Sequence, residues 1–344
     1  MLWPDYNESL SSCRQNYSYF ATSDFMSIGY HVTAIINTPL SVLAFYVISK
    51  KTPAGMKKMR SALLFAQFCC TNLDICCNLV VCPYAFFPTA SGLTLGILSR
   101  LGVPFKWQGY WGQVSIMLNG VAFVMLYENR QSQVTTIRMK IKNANTRRAY
   151  CLVLIILAFL SILPFYLEET DQVELRKYVL ARVPCPTIEF FDPGTYVLLK
   201  GGEAAPFLSL TLMSLYIILQ SVFFAVHVIF HTVLIKNAKL SKETRALQRK
   251  FLRNITLQIA IPLLALVFPT AYSLYADKNN YYNQAYNNFA LLAFANHGLL
   301  ATGTTLIIYK PYRDFVFASF RKRRVEGITR SADEERSRRI SSVA

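Results

Sequence analysis

The chain predicts an all-α membrane protein, a bundle of seven helices that cross a bilayer with the amino end outside. Three observations predict it. The 344 residues are 53% hydrophobic and only 16% charged, with a mean hydropathy of +0.30, whereas soluble domains are about 25% charged. The apolar residues gather in seven runs, near Phe25–Ile48, Ser61–Pro88, Gln108–Tyr127, Ala149–Leu167, Ala204–Ile235, Ile255–Ala276 and Phe289–Tyr309, in which Asp74 is the one formally charged residue. Each reaches the roughly 20 residues that span hydrocarbon as a helix, and a lipid environment requires backbone amides to be bonded within such a segment. Finally, of the 36 Lys and Arg residues, 28 fall in one alternating set of connections and 8 in the other. Cytoplasmic loops carry the excess of Lys and Arg, so the set beginning with Ser49–Arg60 is inner.

The segment 1–24 is therefore an outer amino-terminal piece, 25–310 the helical domain and 311–344 an inner tail. The first 24 residues are polar and lack the apolar core of a cleavable signal peptide. They hold two sequons, Asn7-Glu8-Ser9 and Asn16-Tyr17-Ser18, on the side where glycosylation occurs. A third, Asn254-Ile255-Thr256, lies on the inner side and is expected to stay unused. Of eight cysteines, six lie within or beside the spans, where small buried thiols pack as apolar groups. Cys13 and Cys185 lie in outer segments, where a disulfide is permitted; they are expected to pair, a free thiol being the alternative.

The first inner loop, Lys50 to Lys58, is a basic turn between helices. Span two brings Asp74 and Asn72 to membrane depth, where a carboxyl costs roughly 2.5–3.5 kcal/mol on insertion scales. Asp74 should face the bundle interior, either in an ion-linked or switching role or as a neutral acid hydrogen-bonded to a neighbouring helix. Pro83 and Pro88 bend or end this helix.

Span three begins with an aromatic collar, Trp107-Gln-Gly-Tyr110-Trp111-Gly, and ends in Glu128-Asn129-Arg130. Trp and Tyr favour the headgroup level, and the adjacent acid and arginine are expected to form a charge pair at the inner interface. The inner segment Lys236–Arg253 places Leu240, Leu247 and Phe251 among charges at helical spacing, the pattern of an amphipathic, cytosolic start to span six. Pro262 and Pro269 supply a pivot in that span. Span seven carries Asn296-His297, followed by small residues at Thr302–Thr305 that permit close helix contact; a satisfied interior hydrogen-bonder is the plain alternative for His297. His227 and His231, at i and i+4, lack further ligands, so no metal site is expected. Phe315–Arg324 alternates aromatic and basic residues, as a short interfacial eighth helix would.

These features together point to a G-protein-coupled receptor, and an ordered set of short stretches narrows the resemblance. Lys51-Thr52-Pro53 with Met56-Lys57, Pro83-Tyr84 with Phe87-Pro88, Gly96 to Pro104, and Leu126 to Arg130 are followed by Asp171-Gln172, Pro184-Cys185-Pro186, Thr244-Arg245 with Leu247-Gln248, Gln258 to Pro262, and Pro311-Tyr312-Arg313. With these the chain resembles the nematode serpentine chemoreceptors, class H of the Str superfamily, over nearly its whole length. The resemblance implies a plasma-membrane receptor of sensory cilia that takes an odorant, pheromone or other small chemical cue and acts through a heterotrimeric G protein. Glu128, Asn129 and Arg130 would be its coupling motif, with Arg130 meeting the Gα tail once span six swings outward. Asp74, Asn296 and His297 would form the intramembrane polar switch. Candidate ligand contacts in the outer half are Trp111, Ser115 and Asn119, on one face of span three, with Phe268 and Tyr272; ordinary helix packing is the alternative for each. The chain departs from the wider rhodopsin-like pattern: span three has no Cys at its top, and Pro311-Tyr312-Arg313 stands where Asn-Pro-x-x-Tyr would be.

Other classes fit less well. A secondary transporter would show internal repeats and paired intramembrane charges, and a ligand-gated channel of the insect odorant type would have the opposite orientation. A retinal pigment needs a lysine within the spans. The basic balance is scattered over short loops, which disfavours nucleic acid, and no catalytic motif or cofactor motif is present. Ligand, lipid and a G protein are the expected partners; the sequence does not give the oligomeric state.

Overall fold

The computed structural model describes residues 17–134, 137–167, 170–199, 204–234 and 242–318. Seven helices long and apolar enough to cross a membrane lie among them, and the ends of the bundle are named here by the Lys/Arg asymmetry. Span one (Ser23–Lys51) starts at Thr22, whose Oγ1 accepts from the Phe25 amide at 3.2 Å. Asp24 in its first turn and Lys50 and Lys51 in its last match the helix dipole. A 3₁₀ turn, Ala54–Met59, leads into span two, which is α-helical over Arg60–Ile75 and widens to a π turn at Cys76–Val80.

Here the structure departs from the expected apolar run. The helix stops short of Pro83, and Pro83–Ala85 form a strand, β1, because proline lacks the amide a continuing helix requires. β1 pairs antiparallel with β2 (Ser91–Thr94), and β2 pairs antiparallel with β3 (Tyr196–Val197), which lies just before span five. This three-stranded sheet belongs to the outer side; the apolar pattern alone predicts its residues partly as helix and partly as loop. A single turn, Ile97–Arg100, and the positive-φ Gly102 (φ +75) then aim the chain into span three, Phe105–Gln133.

Span three is the central element, packed against spans two, four and five and touching span six. Its inner half, from Val121 to Gln131, is almost wholly buried. Span four runs Ala144–Ile162, with Asn143 capping it, and ends in the turn Pro164–Leu167. An outer helix, Gln172–Arg182, follows, capped by Asp171. Arg182 at its end reaches Asp277 at 2.9 Å and Asn280 at 2.7 Å at the outer end of span six. Arg176 on the same helix is buried and donates to the carbonyls of Thr195 and Pro193, and burial pushes its guanidinium pKa down.

Span five is Ala204–Ile229 with a π turn at Phe230–Leu234, and span six is one helix of 38 residues, Lys242–Asn279. At 1.5 Å per residue it is about 57 Å long, longer than the roughly 30 Å of hydrocarbon; it takes in Leu247 and Phe251 of the amphipathic pattern, while Leu240 lies outside the described residues. Span seven is divided at Asn296 into Gln284–Ala295 and His297–Ile308. A final helix over 310–318 lies against span one, with the Lys51 ammonium 4.8 Å from the Phe315 ring centroid. Side chains facing the lipid are apolar and exposed, among them Ile35, Leu157, Leu219 and Leu264.

Candidate functional site

Span three divides by height into three polar environments. At the outer end, a cavity of about 400 Å³ opens between spans two, three, six and seven, with β1 and β2 as part of its wall. Span three contributes Gln108, Gly109, Gly112, Gln113 and Ile116, while span six supplies Pro269, Thr270 and Ser273 and span seven Leu291 and Phe294. Tyr166, from the turn after span four, closes one side. The lining carries no formal charge. Its volume lies at the lower end of the range for small-molecule sites, about 300–1,000 Å³.

The sequence-chosen contacts fall on other faces. Trp111 is 38% exposed and packs against Phe159 of span four. Ser115 accepts from Asn72 at 2.7 Å, and Asn119 donates to the Cys69 carbonyl at 3.0 Å. Ser115 and Asn119 therefore join span three to span two, Trp111 faces span four, and none of the three lines the cavity. Phe268 is 57% exposed on the lipid side of span six. Tyr272 donates to Asn287 of span seven at 2.7 Å; the neighbours Pro269, Thr270 and Ser273 line the cavity in its place. Each helical residue turns about 100° from the last, so adjacent positions meet different neighbours. The usable signal was the pair of glycines at 109 and 112 flanked by Gln108 and Gln113, which leaves space beside uncharged polar groups.

At mid-height the structure brings Asp74 and His297 together. The Asp74 carboxylate accepts from Asn37 of span one at 2.6 Å and lies 3.9 Å from His297 Nδ1. That nitrogen is 3.1 Å from the Phe294 carbonyl, which can only accept, so it carries the proton. Asn78 ties the same region together, donating to the carbonyls of Asp74 and Ala295. Asn296 turns away, donating to Leu292 O at 2.8 Å and accepting from Thr33 at 3.4 Å. Gly298 is required here, since a Cβ at that position would overlap the Asp74 carboxylate. Asn37, the direct partner of Asp74, was not singled out in the sequence.

At the inner end the expected Glu128–Arg130 pair does not form. Residues two apart on a helix point in nearly opposite directions, and the two side chains serve different neighbours. Glu128, 2% exposed, receives a bidentate pair from Arg147 of span four at 2.8 and 2.7 Å. Arg130, 4% exposed, donates from Nη2 to the Gln248 carbonyl of span six at 3.1 Å and lies over the Phe251 ring at 5.4 Å. Asn129 donates to the Lys58 carbonyl of the first inner loop at 3.1 Å. Three consecutive residues thus hold the inner ends of spans four and six and the first inner loop to span three.

His227 packs on His231 with ring centroids 4.9 Å apart and bonds Gln131 at 2.7 Å. Cys185 is disulfide-bonded, whereas Cys13, Asn7 and Asn16 lie outside the described residues.

Comparison with known proteins agrees with this architecture. Residues 21–322 match the family model described as serpentine type 7TM GPCR chemoreceptor Srh. Serpentine receptor class H-72 of Caenorhabditis elegans is 23% identical over 319 residues, covering 91% of this chain and 90% of the relative. Among solved structures, squid rhodopsin superposes with a TM-score of 0.51 at 11% identity, covering 93% of this chain and 89% of that one. The latter likeness concerns the fold alone.

Proposed function

The chain belongs to the Srh family of serpentine seven-transmembrane chemoreceptors, and from that membership we propose that it is a plasma-membrane receptor, placed in the cilia of chemosensory neurons, which binds a small chemical cue in its outer cavity and activates a heterotrimeric G protein. The observation that carries this reading is the position of span three. Its outer turns line the cavity, and its last turn, through Arg130, holds the inner end of span six. Span six reaches both places, with Thr270 and Ser273 at the cavity and Gln248 at the inner end.

A cue acts by binding better to the arrangement in which the inner end of span six has moved away. Release of the Gln248 carbonyl frees the buried Arg130 guanidinium for the carboxyl-terminal tail of a Gα subunit, with Glu128 and Asn129 keeping span three in register against span four and the inner loop. Reversing a 1:99 population to 99:1 takes about 10⁴-fold preference for one state. The Asp74–Asn37–His297 cluster lies between the two ends and joins spans one, two and seven, so it is the switching region of this reading. Pairing of Cys185 with Cys13 and glycosylation at Asn7 and Asn16 belong to the same proposal, as fastenings of the outer face.

The test is a reporter of Gα-dependent nucleotide exchange in cells expressing the chain with candidate Gα subunits, against small volatiles and secreted metabolites. A response that requires both chain and Gα is expected, and Arg130→Ala abolishes it with surface expression intact. Full signalling by Arg130→Ala would remove the coupling assignment, and a current that persists with G proteins blocked would replace the receptor reading with a channel.

A further inference from the structure

We propose that a groove between spans two, three and four at the inner end holds an anionic phospholipid of the inner leaflet, its headgroup at Lys58 and Arg148 and an acyl chain running outward along spans two and four. This rests on the bundle and its orientation, and on neither the chemical cue nor the G protein. The groove measures about 500 Å³ and shares no residue with the outer cavity.

Its lining is graded along the membrane normal. Spans two and four both begin at the inner end, at Arg60 and Ala144. On span two Ser61 comes first and Phe65 follows, about 6 Å further into the membrane at 1.5 Å per residue. On span four Arg148 lies about 10 Å inward of Ile155, with Leu152 between them. Leu152 is 57% exposed, so the groove opens sideways to the bilayer. A phospholipid has the same order, charge at the interface and chain toward the centre. A soluble acidic segment leaves the apolar half unused, and a sterol leaves the cations unused.

The charge of the groove fixes the sign of the headgroup. Four charged side chains line it, Lys58, Glu128, Arg147 and Arg148. Both oxygens of the buried Glu128 are taken by Arg147, so that pair is neutral as a unit. Lys58 and Arg148 remain, both exposed, and neither has an acidic partner among the described residues. Ala144 adds the first turn of span four, which holds no acidic residue and carries the positive end of the helix dipole. Basic pockets between transmembrane helices on the cytoplasmic side suit anionic headgroups. Such a headgroup spreads its charge over several oxygens, so the two cations attract it from the rim and need not converge on one atom.

Cys151 reports occupancy, because it lines the groove and is partly exposed, whereas the other free cysteines among the described residues are buried. The test is the rate of maleimide alkylation at Cys151, read by mass spectrometry of its peptide, for the full chain in nonionic detergent. The probes are dioleoylphosphatidylserine, dioleoylphosphatidylcholine, cholesterol, the soluble headgroup glycerophosphoserine and an oligoglutamate peptide. Phosphatidylserine is expected to slow alkylation at a lower concentration than phosphatidylcholine, and the other three are expected to leave the rate unchanged. Lys58→Gln and Arg148→Gln should each raise the half-protecting concentration of phosphatidylserine about fivefold, the effect of one basic residue at an anionic surface. Since both side chains are exposed, the unfolding temperature in phosphatidylcholine should not change. Arg249→Gln with Lys250→Gln, which removes two exposed cations from the inner part of span six, should leave the protection of Cys151 as it was.

The proposal is overturned if phosphatidylcholine protects as well as phosphatidylserine, if both groove variants keep full protection, or if the span-six pair weakens it as much as they do. Protection by cholesterol alone would assign the groove to a sterol. Protection by glycerophosphoserine or oligoglutamate equal to that by the lipid would assign it to a soluble anion or to an acidic protein segment, and either result removes the phospholipid.

Discussion

Arg130 and Glu128 show what a two-residue spacing does on a helix. One side chain holds span six through a backbone carbonyl, and the other accepts both nitrogens of Arg147. Phe251→Ala removes the ring under the Arg130 guanidinium while leaving the arginine itself; it is expected to raise ligand-independent nucleotide exchange, with an unchanged or lowered basal rate counting against the latch. Arg147→Ala leaves the buried Glu128 carboxylate without its bidentate donor, a loss of roughly 1.5–3 kcal/mol for a hydrogen bond to a charged group. The unfolding temperature of the solubilised protein should fall, and Glu128→Gln in the same background should recover part of the loss. The sequence located this triplet because charge beside an apolar run is conspicuous. It misjudged the pairing because Arg147 and Gln248 lie 19 and 118 residues away, beyond any local pattern. The cavity residues offer a fainter signal, Gly109 and Gly112 between Gln108 and Gln113, in a collar where Trp107, Tyr110 and Trp111 are the conspicuous residues.

At the scale of the element, the seven spans were legible because hydrocarbon imposes length and composition on a helix more strictly than any soluble core does. Their boundaries were legible only where charge or a cap intervenes. The apolar run of span two continues through Pro88, past the end of its helix, because apolarity alone does not separate a helix from an outer strand. Span seven contains its own test of packing at the division near Asn296. Gly298→Ala would press a methyl group into Asp74 and is expected to lower surface yield severely, whereas Gly303→Ala, with nothing within 4 Å of the added carbon, should leave it unchanged. Equal yields from the two variants would show that the Asp74 contact is dispensable.

Across the whole molecule, the sequence conveyed orientation through the Lys/Arg asymmetry and fold class through the seven runs. The way distant loops meet on the outer face was not legible, because β3 is two residues long and its partner strand lies roughly 100 residues earlier. If Cys13 and Cys185 fasten this face, Cys13→Ser, Cys185→Ser and the double variant should lower the unfolding temperature equally, since removing either sulfur removes the same bond; unequal losses would separate the two cysteines. Glycosidase treatment should reduce the apparent mass of the natural chain, by a smaller amount in Asn7→Gln or Asn16→Gln, and by the same amount in Asn254→Gln.

The pairing of Gly92 with Tyr196 also sets an order of events during synthesis. At about 5–20 residues per second, a hairpin that has left the ribosome waits on the order of 5–20 s for its third strand, with two further helices inserted in between. During that interval the free side of β2 presents unpaired amides and carbonyls outside the membrane, where folding helpers on that side of the membrane would meet them. The sheet behind the outer cavity is therefore completed late, and a nascent chain arrested before residue 196 lacks its third strand even though its first four helices are already in the bilayer.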